Sequence, residues 1–168
     1  MVDLNLAANS KGKSTVWTET EIRRAIELMF FAYRDFTSGP DAVLDRYGYG
    51  RAHHRVIHFV GRNPGITVQQ LLGILSITKQ SLSRVLGTLV SDGYVEQVKG
   101  ERDRRLRHLH LTDKGLALEA ACSAPQRRQV REAFEEAGPE AVEGYHAVLN
   151  ALIRPDERQN VSSLVDRD

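Results

Sequence analysis

A chain that sets two short, capped helices in tandem and then runs straight into an arginine-loaded hairpin has few folds open to it. Thr67 opens the first helix: its hydroxyl can serve the free amides of the first turn, and Gln70 can close a capping box. Leu71, Leu72, Ile74 and Leu75 supply the apolar side, and Ser76-Ile77 leads to a second cap at Thr78. Beyond it Leu82, Val85, Leu86, Leu89 and Val90 recur at the steps of a buried helical stripe. The opposite face carries Lys79, Gln80, Ser81, Ser83 and Arg84, side chains that can bond to phosphates or purine edges. Gly93, after Ser91-Asp92, is placed to end this helix in the left-handed conformation that costs glycine little.

A two-stranded wing is expected next. Tyr94, Val95 and Val98 form a short, imperfectly alternating run, and Leu106, Leu109 and Leu111 alternate with Arg107, His108 and His110 in a second. Leu109 and Leu111 share a face that Leu106 does not, which predicts a bulge or the end of the hairpin near Arg107. The connecting loop reads Gly100-Glu101-Arg102-Asp103-Arg104-Arg105. Asp103 and Arg105 stand two apart, so on an extended loop their side chains share a side and the carboxylate can hold the guanidinium in one pose. A helix that fits the major groove beside a basic loop that reaches the minor groove makes double-stranded DNA the expected partner. The plainer readings are a solvated helix face, ordinary loop charges and a surface ion pair of under about 1 kcal/mol.

The run from Gly65 to Gly115, with its Asp-x-Arg pair and with Leu111-Thr112 closing the last strand before a helix, resembles the MarR family of winged helix-turn-helix transcriptional regulators. Gly50-Arg51-Ala52-His53-His54-Arg55 and the helix after it resemble a proteobacterial subgroup of the PetP type. The resemblance implies a mainly α fold with a small β-hairpin wing and dimerisation helices at both ends. It also implies that the helix over residues 78–92 enters the major groove and that Arg105 enters the minor groove. The DNA-contacting set expected is Thr78, Lys79, Gln80, Ser81, Ser83, Arg84, Arg102, Asp103, Arg104 and Arg105.

Whole-chain numbers agree. A length of 168 residues with 41% hydrophobic content suits one domain with a core, and a net charge of +1 excludes a polybasic binder without excluding a local basic surface. No segment has the apolar length to span a bilayer and the first residues lack a secretory core, so a cytoplasmic location without membrane contact is expected. One cysteine, Cys122, excludes an internal disulfide and any multi-cysteine zinc site.

The organisation expected is a flexible arm over residues 1–16, a dimerising N-terminal helix over 17–46, the winged domain over 47–112, C-terminal dimerisation helices over 113–153 and a flexible tail over 154–168. Thr18 can cap the first helix, whose buried face is Ile22, Ala25, Ile26, Met29, Phe30 and Tyr33, with an end around Gly39-Pro40. A helix with Ala52, Val56, Ile57, Phe59 and Val60 stops at Asn63-Pro64-Gly65. Thr112 starts another, in which Pro125 predicts a kink or a restart near Ser123. The last runs from Pro139 to Ile153 with Val142, Tyr145, Val148, Leu149 and Leu152 along it.

The terminal helices are too apolar along one stripe to stay wet, which predicts a homodimer on a near-palindromic operator; packing of those helices onto the chain's own winged core is the alternative. Tyr47, Arg51 and His54 are candidates for binding a small aromatic or phenolic anion, as family members do, with simple packing as the other reading. His54 and His58 share a helical face but lack a third ligand, so neither a metal site nor a cofactor is expected. Cys122 reads as a small core hydrophobe rather than a redox switch. No phosphate loop, nucleophile elbow or His-Glu-x-x-His helix points to an enzyme. The remaining competitor is a winged module that binds protein without binding DNA.

Overall fold

The computed structural model describes residues 16–100, 103 and 105–166. The chain divides into two units, residues 1–36 and 37–168. Helix α1 (Glu19–Leu44) starts in the first unit, capped as expected: the Glu21 amide donates to the Thr18 hydroxyl at 3.3 Å and the Glu21 carboxylate accepts from the Thr18 amide at 2.7 Å. The face expected to be buried is open in the single chain, with Ile22, Ile26, Met29, Phe30 and Tyr33 all exposed. Periodicity identifies which side is apolar; it does not say what covers it.

The second unit holds the end of α1, then α2 (Arg51–Arg62), β1 (Ile66–Thr67), α3 (Val68–Leu75), α4 (Lys79–Ser91), β2 (Val95–Lys99), β3 (Arg107–Leu111), α5 (Asp113–Ala137), α6 (Pro139–Leu152) and α7 (Arg158–Val165). The sheet has the order β1-β3-β2, with both pairings antiparallel. Its hairpin keeps an unbroken register from Val95 opposite Leu111 to Lys99 opposite Arg107, so there is no bulge and the strand ends at Arg107. Leu106 lies outside the strand and is exposed. Strand β1 was not expected, because two residues are too few to show alternation.

One core joins the elements from the end of α1 to α5. Val56, Ile57 and Val60 of α2, Leu71 of α3, Leu82, Leu86 and Leu89 of α4, Leu109 of β3, and Leu118 and Cys122 of α5 are all buried in it. The stripe of α4 therefore faces inward and leaves its polar side to solvent, which is what fixes the orientation of the candidate site.

Three expectations are corrected. Helix α1 continues past Gly39-Pro40 to Leu44, because Pro40 and Leu44 are themselves buried in the core. Of the kink or restart expected near Ser123, the restart does not occur: Pro125 lies inside one helix, where a side chain on Gly39 would come within 2.8 Å of its ring. The close approach of Gly39 and Pro125 gives the proline tertiary contacts that offset its missing donor. The polar stretch from Arg154, expected as a frayed tail, carries α7, pinned where the Arg158 guanidinium donates to the carbonyls of Ala151 at 2.7 Å and Ile153 at 3.0 Å.

Candidate nucleic-acid interface

The two tandem helices start where their threonines put them. The Thr67 hydroxyl accepts from the Gln70 amide at 3.3 Å while the Gln70 side chain accepts from the Thr67 amide at 2.9 Å. Thr78 does the same work for α4, accepting from the Ser81 amide at 3.2 Å and donating to the Ser81 hydroxyl at 2.9 Å. Lys79, Gln80, Ser81, Ser83 and Arg84 are all exposed and gathered on the first half of α4. A helix N-terminus with a cation and amide or hydroxyl groups on its open face is suited to anionic backbone and to base edges.

At the wing, Asp103 clasps Arg105 in two ways. Its carboxylate accepts from the Arg105 amide at 2.9 Å and lies 3.5 Å from the guanidinium Nε. The Arg105 side chain is nevertheless 95% exposed, so it is directed by one anion and open to another. Arg102 and Arg104 lie outside the described residues.

The sequence marks the turn between α4 and the wing through Gly93, but its spacing gives no sign of what fastens that turn to the rest of the fold. The Tyr49 hydroxyl donates to the Asp92 carboxylate at 2.5 Å, and its ring stacks on His53 at 4.6 Å and meets the edge of Tyr94 at 5.5 Å. Burial first, then the bond to Asp92, hold this phenol protonated well above its usual pKa. Lys114 of α5 lies 4.1 Å over the Tyr94 ring and donates to the Asp92 carbonyl at 2.8 Å. Thr112 caps α5 and also donates to the Gly93 carbonyl at 2.7 Å. Gly93 has a φ of 75°, the left-handed turn its position predicts, and a side chain on Gly115 would meet the Tyr94 carbonyl at 2.1 Å. The available signal was composition: residues 47, 49 and 94 are three of the chain's five tyrosines.

The three candidate effector residues have separate partners. Tyr47 meets the Tyr94 ring edge-on at 6.2 Å; Arg51 is paired with Asp41 at 2.7 Å; His54 lies 6.3 Å from His58, ring to ring. The His54 Nε2 atom is buried without a hydrogen-bond partner, and burial, then His58, lower its pKa. A cavity of about 1040 Å³ lies elsewhere in this unit, between α7 and the back of α2 and α3, with His58, Phe59, Ile66, Ile74, Val161 and Leu164 in its wall. Among the described residues no group of three His, Cys, Asp or Glu is arranged to hold a metal ion, and no helix is long and apolar enough to cross a membrane. Cys122 is buried, and burial, with Glu119 adding to it, pushes its thiol up to about 11, which keeps it out of the reactive thiolate form.

Tandem capped helices, a buried stripe behind the second and a three-stranded wing define a winged helix-turn-helix module. The MarR family model matches residues 47–106, which take in α2, the two tandem helices and the first strand of the wing hairpin. The chain is 52% identical over 151 residues to the HTH-type transcriptional regulator PetP of Rhodobacter capsulatus, covering 90% of this chain and 91% of that protein. Its fold matches Streptococcus pneumoniae FabT in complex with DNA at a TM-score of 0.70 and 23% identity, covering 85% of this chain and 99% of FabT. It also matches a MarR mutant from E. coli complexed with operator DNA at a TM-score of 0.63 and 22% identity, covering 80% and 97% of the two chains. The chain therefore belongs to the MarR family of helix-turn-helix transcriptional regulators, and is a regulator rather than an enzyme.

Proposed function

We propose that the protein binds a near-palindromic DNA operator as a homodimer in the cytoplasm, with α4 in the major groove and the wing in the adjacent minor groove. The observation that carries this is the directed, open guanidinium of Arg105 beyond a recognition helix whose polar face is wholly exposed. Thr78, Lys79, Gln80, Ser81, Ser83 and Arg84 would meet the backbone and base edges, and Asp103 would hold Arg105 for entry into a narrow groove. Further support comes from the solved neighbours captured with DNA.

The homodimer is supported by apolar residues left open along α1 and α6, among them Phe30 at 65% exposure and Leu152 at 60%. Pairing those faces across a two-fold axis would set two α4 helices about one turn of DNA apart, about 34 to 36 Å. An aromatic or phenolic anion at Tyr47, Arg51 and His54 would have to compete with Asp41 for Arg51, and it would weaken operator binding if it favoured a spacing the operator does not fit.

Shift assays against duplex selected by the protein from a randomised library test the assignment. Arg105→Ala should lose about 1 to 3 kcal/mol of binding, with Arg84→Ala also weakened. Equal affinity of both variants and the parent would overturn it.

A further inference from the structure

The turn at residues 92–94 receives fastenings from every side. Tyr49 is 7% exposed, and its amide donates to the carbonyl of Leu44, the last residue of α1, at 3.1 Å, while its hydroxyl donates to Asp92. Lys114 and Thr112 reach the same turn from the start of α5. The two parts of the reader leave from it in sequence, α4 before and β2 after. They are joined to each other without Tyr49: the Tyr94 amide donates to the Leu89 carbonyl at 2.8 Å, and Leu89 and Val95 are both buried.

We propose that this turn is the pivot between the reader and the helices that carry it, and that Tyr49 is a positioning residue whose hydroxyl sets the angle of α4 against the end of α1. Removing the hydroxyl leaves helix and wing joined but lets them turn together about the 92–94 junction. A single half-site would scarcely register that freedom, since one reader can follow it. Two half-sites at fixed spacing demand both readers at one angle, so the loss falls on the paired site. The proposal rests on the paired-reader function above, extends it to a residue that touches no DNA, and is tested so that the two can fail separately.

Tyr49→Phe keeps the ring, its stacking on His53 and its edge contact with Tyr94. Binding is measured to the duplex selected by the parent protein from a randomised library, and to the same duplex with one half scrambled. The variant should lose on the order of tenfold on the intact duplex and stay within about twofold on the half-scrambled one, because the hydrogen bond lost is to a charged acceptor. Asp92→Ala, which removes the acceptor, should show the same split, and combining the two should add little, the signature of one shared bond. Equal losses on both duplexes, or none on either, would overturn the pivot and leave Tyr49 a packing residue. A parent protein that bound the two duplexes alike would overturn the paired-reader function, and the pivot with it.

Discussion

The winged module and the terminal helices use apolar side chains in opposite ways. In the module each apolar stripe is turned inward, and Leu71, Leu82, Leu89 and Leu109 have no measurable exposure. Along α1 and α6 side chains of the same kind, Ile26, Phe30, Tyr145, Val148 and Leu152, stand open in the single chain. The module buries its apolar side chains within one copy, whereas α1 and α6 leave an apolar surface open. If the protein reads DNA as a pair, as proposed, a fold built this way separates reading from pairing, and substitutions in the two regions should fail differently.

The largest contrast should come from truncating one leucine in each. Leu89→Ala opens a hole in the shared core and should lower unfolding stability by about 2 to 5 kcal/mol in urea titration. Leu152→Ala, open in the single chain, should leave no comparable hole and should instead weaken self-association in sedimentation. Similar stability losses in both would erase the distinction. Thr78→Ala removes the cap of α4 and should cost about 1 kcal/mol of stability; with α4 in the major groove as proposed, operator binding should weaken too because the start of that helix loosens.

The smallest effect is set by pH. His54 is held neutral by burial, with His58 and Arg55 also opposing its charge and Glu119 and Asp41 favouring it. Its folded pKa lies below the unfolded value of about 6.5, so the unfolded chain binds more protons between the two. Stability from this group is present above about pH 6.5 and is lost as pH falls through the folded pKa. His54→Phe should show a smaller drop in melting temperature from pH 7.5 to 5.5 than the parent. An unchanged drop would mean that other groups carry the acid sensitivity.

What was legible in the sequence was local. Thr18, Thr67, Thr78 and Thr112 each bond an amide three residues on, so four residues are enough to signal a helix start. The Asp103–Arg105 clasp spans two residues and was equally readable. The prolines misled because their local cost is offset by distant contacts: Pro125 lies against Gly39 of another helix, and Pro40 is drawn into the core. Tyr49 and Asp92 are 43 residues apart, and no pattern of period two or 3.6 joins them. Tyr47, Arg51 and His54 were grouped by residue type, while the fold gave each a neighbour of its own.

The stoichiometry of the complex with DNA bears most directly on the division between reading and pairing. Sedimentation of the protein with its selected duplex, alongside footprinting, should give two chains per duplex and two protected half-sites about one helical turn apart. One chain per duplex with a single protected half-site would contradict it.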